Sequence, residues 1–446
     1  MENRGNFSRI GFILAAAGSA VGLGNLWKFP YTASENGGGL FVLVYLISIA
    51  FIAFPVLLAE ITLGRHTKKN PVGAFMAIRP RSQWKWVGYV GVASGFMILS
   101  FYSVVAGTTV GYFYKAVTGS FHNITIQDAS ALSMNFTSDA VTQIVLTAVF
   151  ILLTIYVVAR GVSGGIEKFS KILMPALLVI LFLLLFRSLT LKGAGVGLHK
   201  YLKPDFKAFS PKLIIEAMGQ AFFSLSLGMG TMITYGSYVS KKENLPSAAG
   251  WIAACDTGIA LLAGFIIFPA IFSFGLQDQS GPDMMFKVLP VLFSKMPGGV
   301  VFGPMFFLLL SIAALTSTIS ILEVPVAYAI DEKSWNRKKA SWVIGGVAFL
   351  FAIPSALSQG AVPFLSKLPL FNISFLGLWL FIWGTLSLSI GAFFIALFVG
   401  HVWKTSNAIK EMKEGVSNVA IEVPWTILVK YVAPVVILLI LISLIF

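Results

Sequence analysis

Two short stretches of this sequence place glycines beside oxygen-bearing residues in a pattern that could hold a small charged molecule. The first reads Gly18-Ser19-Ala20-Val21-Gly22-Leu23-Gly24-Asn25, and the second reads Ser224-Leu225-Ser226-Leu227-Gly228-Met229-Gly230-Thr231. Both share an apolar-Gly-apolar-Gly-polar core inside a long apolar segment. A break at such a core frees backbone N–H and C=O groups, which hydrocarbon does not tolerate unless they face a cavity or a ligand. A freed half-helix N-terminus favours an anion, and freed carbonyls favour a cation. Two breaks side by side therefore suit a molecule carrying both charges, together with metal ions. Glycines also serve close helix packing, and a single Gly-x-Gly would be read that way. Two at matched positions, each flanked by hydroxyls or an amide, favour the break. Asp256, Ser224 and Thr316 each fall about 15–20 Å along their own apolar segments at 1.5 Å per residue, near the middle of a bilayer. Polar groups at that depth are costly and point to function.

The elements that must position these residues are membrane-spanning helices. Of 446 residues, 57% are hydrophobic and only 11% charged, with mean hydropathy +0.86. Soluble domains carry about 25% charged residues. Eleven segments have the roughly 20 apolar residues a spanning helix needs: 10–32, 38–63, 88–115, 139–159, 165–186, 213–239, 246–274, 299–330, 340–358, 372–400 and 424–446. The loop at 281–297, broken by Pro282, Pro290 and Pro297, is expected to form a re-entrant or surface hairpin. The expected class is a single-domain all-α polytopic membrane protein with eleven transmembrane helices. A 5+5 inverted repeat is expected over about 10–186 and 213–400, with helices 1 and 6 broken and an extra helix at 424–446. The first segment reads as a retained helix rather than a signal peptide.

The net charge of +14 reflects basic loops rather than nucleic-acid binding. Clusters such as Arg65-Lys68-Lys69, Arg79-Arg81-Lys85 and Arg337-Lys338-Lys339 all fall on one side when the N-terminus is cytoplasmic. The basic stretch near 187–212 runs against this bias. The expectation is a plasma-membrane protein with a cytoplasmic N-terminus and an extracellular C-terminus, existing as a monomer or weak homodimer. The single cysteine, Cys255, excludes an intrachain disulfide and reads as a small packed hydrophobe. No His/Cys cluster or phosphate-binding loop supports an enzyme or ATP-driven reading.

The stretch Gly18–Pro30 (GSAVGLGNLWKFP), followed by Glu35-Asn36-Gly37-Gly38-Gly39, resembles the signature of the neurotransmitter:sodium symporter family. Gly219–Tyr238 and Leu315-Thr316-Ser317 match it as well. The resemblance spans nearly the whole chain, and the eleven segments are similar to the shorter prokaryotic branch of multi-hydrophobic amino-acid and tyrosine transporters. It implies the leucine-transporter fold and sodium-coupled uptake of hydrophobic or aromatic L-amino acids by alternating access. It also implies two sodium sites. The first would use the carbonyl of Ala20 with Asn25, Ser224, Asp256 and the substrate carboxylate. The second would use the carbonyls of Gly18, Val21 and Ala313 and the hydroxyls of Thr316 and Ser317. Such hard oxygen donors suit an alkali cation. The substrate carboxylate would meet the amides of Leu23 and Gly24 and the hydroxyl of Tyr102. The side chain would lie among Ile98, Tyr102, Phe223, Ser226, Met229, Ser317 and Ile321, close to Ala20 and Gly22.

Departures from the family pattern sharpen this reading. Gly22 stands where monoamine-carrying relatives have an aspartate, so the protein supplies no counter-charge for a lone ammonium and a substrate with its own carboxylate is implied. Asp256 stands where chloride-requiring relatives have an asparagine, beside Tyr45, Gln220 and Ser224. A fixed carboxylate would replace the anion, so no chloride is expected, and proton counter-transport through Asp256 is a further expectation. Met229 replaces a common phenylalanine, and its adaptable side chain implies a pocket tolerant of bulk.

Gating expectations follow from the same resemblance. Lys28 has no acidic partner near Phe371-Asn372-Ile373-Ser374-Phe375 and is expected to bond through water or to Asn372. Arg4 and Phe7 are expected to meet Asp331, Ser237 and Tyr238 at the cytoplasmic mouth. Gly165 and Pro175 mark a segment expected to unwind and admit water to the second sodium. Glu60 is expected to accept freed amides of the broken sixth helix, and Glu323 receives no role. An amino-acid-gated sodium channel and a transport-inactive sensor of the same fold share all these residues.

Overall fold

In the computed structural model, described here for residues 5–276, 284–416 and 419–445, 13 apolar helices or half-helices account for the membrane-spanning body. They are α1 (Arg9–Ala20), α2 (Gly24–Glu35), α3 (Gly39–Thr67), α4 (Lys85–Val117), α5 (Ala140–Ala159), α6 (Val162–Leu189), α7 (Pro211–Ser224), α8 (Thr231–Ser237), α9 (Leu245–Ser273), α10 (Gly299–Lys333), α11 (Arg337–Leu357), α12 (Phe375–Val402) and α13 (Glu422–Leu444). Nine of these, among the described residues, are long and apolar enough to cross a membrane unaided, and α1 with α2 makes a tenth span bent by 51°. The sixth expected segment is divided into α7 of 14 residues and α8 of seven, each too short to span by itself. The loop at 281–297 holds two short helices, Met284–Val288 and Leu289–Lys295, while Pro282 lies outside the described residues.

The fold is all-α and polytopic, with broken first and sixth segments five apart, as an inverted repeat requires. Ser8 caps α1 by accepting from the Gly11 amide, and Val21 leaves helical geometry at φ −73°, ψ 103°. The chain re-enters a helix at Gly24 with wide π-type turns before Phe29. Between α7 and α8, Ser226, Gly228 and Gly230 all take positive φ (54°, 83° and 80°). A β-carbon on Gly228 would lie 2.0 Å from the Leu388 carbonyl oxygen, so α12 packs directly on this break. Glycine is needed there on both counts.

One face of the body carries the basic loops and is tied together by ion pairs. Glu411, in the short helix Thr405–Lys413 between α12 and α13, binds Arg65 Nε at 2.8 Å, His66 Nδ1 at 2.9 Å and Lys241 Nζ at 2.6 Å. Arg65 also donates to the Glu243 carbonyl at 2.7 Å, and Glu243 pairs with Arg9 at 3.2 Å. The starts and ends of α1, α3, α8 and α12 are thereby held in one layer.

Candidate functional site

The two breaks face each other in the middle of the bundle, and the groups they free are satisfied by side chains. The Gly22 amide donates to Asn25 Oδ1 at 3.1 Å, and the Leu23 amide donates to the Tyr102 hydroxyl from α4 at 3.1 Å. The Gly228 amide donates to Glu60 Oε1 from α3 at 2.7 Å, as expected for a carboxylate opposite a broken helix. Gln220 Nε2 donates to the Gly24 carbonyl at 2.7 Å. Buried backbone groups lose about 1–3 kcal/mol each when left unpaired, so these four contacts are what allow the chain to leave helical geometry here.

One oxygen cluster gathers around Asp256, a fully buried residue of α9. Asn25 Nδ2 donates to its Oδ1 at 2.7 Å and to its carbonyl at 3.0 Å. The Ser224 hydroxyl lies 2.7 and 2.8 Å from the two carboxylate oxygens, and the Tyr45 hydroxyl donates at 3.4 Å. Asn25, Ser224 and Asp256 thus converge; the Ser224 hydroxyl and the Asp256 carboxylate are hard oxygen donors suited to a hard cation, while the Asn25 oxygen accepts from the Gly22 amide. A second gathering lies between α1 and α10. The Thr316 hydroxyl donates to the Ala313 carbonyl at 2.9 Å, and the Ser317 hydroxyl lies 3.3 Å from the Ser19 carbonyl and 3.4 Å from that of Val21. Gly18 packs on Thr316 and on Met174 of α6, where a β-carbon would meet them at 3.3 and 3.2 Å.

Ala20, Gly22, Gly24, Ile98, Tyr102, Phe223, Ser224, Ser226, Met229, Ser317 and Ile321, with Ser19, enclose a space of about 20 Å³ between the two clusters. This volume holds about one water. Tyr102 and Phe223, with Leu23 and Gly24, also line a second cavity of about 80 Å³ alongside Trp27, Lys28 and Leu380. These two aromatic side chains therefore form the partition between the inner space and a vestibule. A larger groove of about 460 Å³ between α4 and α12 is walled by Trp84, Trp86, Val87 and Phe394 and lies apart from both oxygen clusters.

The sequence of this chain matches the sodium:neurotransmitter symporter family over residues 4–131 and 121–446. The chain belongs to that family. It is 40% identical over 440 residues to an uncharacterized sodium-dependent transporter, YhdH, of Bacillus subtilis, covering 98% of this chain and 97% of that one. It is 36% identical to an uncharacterized sodium-dependent transporter of Haemophilus influenzae, again covering 98% and 97% of the two chains. Among solved structures it superposes on MhsT in complex with L-phenylalanine with a TM-score of 0.91 and 43% identity, over 99% of this chain and 100% of that one. This symporter-family member is thus a multi-pass membrane protein of a sodium-dependent transporter group that handles a small-molecule substrate.

The outer gate differs from expectation in its partner. Lys28 does not reach Asn372: its ammonium lies 5.2 Å from the centre of the Phe223 ring, a cation–π contact with the partition itself. Helix α12 offers no carboxylate at that point, and the Phe223 ring face supplies the contact instead. Arg4 lies outside the described residues. Asp331 accepts from the backbone and side-chain nitrogens of Asn70 at 2.9 and 3.0 Å. Phe7 fills the basic-face mouth, with its amide on the Tyr238 carbonyl at 3.2 Å and its ring edge-on to Tyr235 and Tyr238 at 5.4 and 5.9 Å. Ser237 donates to the Thr234 carbonyl within α8 at 2.7 Å. Gly165 sits in a π-type turn at Val162–Glu167, with no room for a β-carbon against the Val157 carbonyl, and Pro175 lies inside α6.

Sequence reading missed a buried ionic cluster near the same mouth. Glu323 of α10 binds both Arg337 terminal nitrogens, at 2.6 and 2.9 Å, and accepts from the Tyr238 hydroxyl at 2.6 Å. The only signal available was a glutamate in an apolar segment, which demands a buried partner.

Proposed function

We propose that this protein is a sodium-coupled symporter that imports hydrophobic and aromatic L-amino acids by alternating access. The observation that carries the reading is the pair of facing helix breaks, with the Leu23 amide bonded to the Tyr102 hydroxyl at one break and the Asn25–Ser224–Asp256 cluster joining the two. A substrate carboxylate seated between them meets the half-helix N-terminus of α2 and completes the first cation site, so substrate and sodium bind as a unit. The carbonyls of Gly18, Val21 and Ala313 and the hydroxyls of Thr316 and Ser317 hold the second sodium. Gly22 adds no charge and no bulk: a β-carbon there would lie 2.6 Å from the Ser317 hydroxyl and 2.8 Å from that of Tyr102. The ammonium of the substrate is then met by carbonyl oxygens and the carboxylate by the protein's amides, which selects amino acids over monoamines. The relative solved with L-phenylalanine supports the class of side chain.

Asp256 supplies the fixed negative charge that balances two sodium ions, so transport is independent of chloride. Its complete burial also supports a proton taken up when the sodium ions leave. The basic face is cytoplasmic, which places the N-terminus inside and the C-terminus outside across eleven crossings. α7 and α8 together make the sixth. Residues 10–186 and 213–400 form the two halves of the repeat.

Purified protein in proteoliposomes tests this reading. An inward sodium gradient should drive saturable uptake of L-phenylalanine, L-leucine and L-tryptophan, unchanged when gluconate replaces chloride. Sodium flux without accumulation would identify a gated channel, and sodium-dependent binding without uptake would identify a sensor.

A further inference from the structure

The start of α6 is held on the start of α1 by a carboxylate, with one further tie from the Ser163 hydroxyl to the Asn6 carbonyl at 3.1 Å. Glu167 Oε1 accepts from the Ser8 hydroxyl at 2.5 Å, and its Oε2 accepts from the Ser8 amide at 3.3 Å. Lys171, one turn on, binds the same carboxylate at 2.6 Å from a half-exposed position. Ser8 is also the cap of α1, so its hydroxyl touches both the first turn of α1, at the Gly11 amide, and the second turn of α6, at Glu167. Gly11 exists to make room for this contact: a β-carbon there would fall 2.3 Å from the Glu167 carboxyl carbon.

The segment so held is not a regular α-helix. Val162–Glu167 is wound in wide π-type turns, entered from Gly161 at φ 96°. Pro175 lacks the N–H that would bond the Lys171 carbonyl. Two turns beyond Glu167, Met174 packs on Gly18, which also meets Thr316, where the second sodium is assigned. We propose that Glu167 is a positioning residue that latches the first turns of α6 to the capped start of α1, so that the two helices can leave the second sodium site only together. Release of the carboxylate frees the Ser8 cap and the Lys171 turn at once, and both loosen the walls around Met174. The inference rests on the proposed symport for its consequence, but not for its geometry.

Hydrogen–deuterium exchange of the full-length protein, in sodium and in potassium, reads the latch directly, and sodium-dependent L-phenylalanine binding reads its effect on the site. Glu167→Ala and Gly11→Ala should each speed exchange of amides 162–171 in sodium by about ten-fold, the loss of roughly one charge-assisted hydrogen bond. The half-saturating sodium concentration should rise several-fold, and exchange in α3, α4 and α10 should stay unchanged. Gly11→Ala is the stricter variant, because alanine by itself strengthens a helix and the carboxylate remains in the chain. Glu167→Gln keeps an acceptor for Ser8 and should fall between wild type and Glu167→Ala; it also serves if Glu167→Ala does not fold. Unchanged exchange at 162–171 in these variants overturns the latch, as does a uniform acceleration throughout the protein. If the wild type binds no amino acid in sodium, the proposed function fails, while the exchange comparison still decides the latch.

Discussion

Replacing Asp256 with asparagine removes one negative charge while leaving the shape of the site nearly unchanged. The carboxylate accepts from Asn25 at 2.7 Å, from Ser224 at 2.7 and 2.8 Å and from Tyr45 at 3.4 Å. An asparagine keeps one oxygen for Asn25, and the Ser224 and Tyr45 hydroxyls can rotate to accept from its new amino group. The fold should survive. Two unit charges about 4 Å apart, at an effective dielectric constant of about 20, interact by about 4 kcal/mol. Losing that attraction should weaken sodium binding by about a hundred- to a thousand-fold, allowing for partial relaxation. A chloride ion seated beside Tyr45, Gln220 and Ser224 should recover part of the loss. The assay is L-phenylalanine binding titrated with sodium, in chloride and in gluconate. The wild type should give superimposable curves, and Asp256→Asn should bind better in chloride. An Asp256→Asn protein with unchanged sodium dependence, or a wild type that needs chloride, refutes the charge-replacement argument.

Other expectations concern the pocket and the basic face. Gly22→Ala puts a methyl group 2.6 Å from the Ser317 hydroxyl and should weaken L-phenylalanine binding at least about ten-fold, with an unchanged thermal midpoint in the absence of substrate. Met229→Phe replaces an adaptable side chain with a rigid ring in the pocket wall and should lower tryptophan uptake more than leucine uptake, measured as competing kcat/KM values. Burial alone would raise the carboxyl pKa of Glu411, but hydrogen bonds from His66 and Lys241 and the charge of Arg65 outweigh it and hold it at about 2 rather than 4.5. A depressed folded-state pKa gives stability that is complete above about pH 4.5 and is lost as pH falls toward 2. Thermal midpoints should therefore drop across that window in the wild type and drop less in Glu411→Gln; parallel curves would contradict it.

Elements whose local sequence carries its own physical signal were legible in advance. The Gly22–Gly24 and Gly228–Gly230 pairs announced both breaks, the second because its positive φ favours glycine and the first because a β-carbon at Gly22 would strike Ser317 and Tyr102, and the apolar segments gave span ends within a few residues of those observed. What escaped was long-range or depended on a neighbour's shape. Ser226 at φ 54° is imposed by the loop between α7 and α8 rather than by its own preference. Arg65 and Glu411 lie 346 residues apart in sequence, and no spacing rule joins them. Arg337 read as one more basic loop residue until the fold set it against Glu323. Lys28 found the Phe223 ring because that ring closes the vestibule beside it, a fact of packing that no motif records.

The central claim is that the freed dipoles of two interrupted helices and the oxygens around Asp256 hold a zwitterion together with sodium. Calorimetric titration of L-phenylalanine against phenethylamine, which has the same ring and ammonium but no carboxylate, tests it most directly. In sodium, L-phenylalanine should bind and phenethylamine should not, and in potassium neither should bind. Comparable binding of the two ligands, or sodium-independent binding of L-phenylalanine, would contradict the claim.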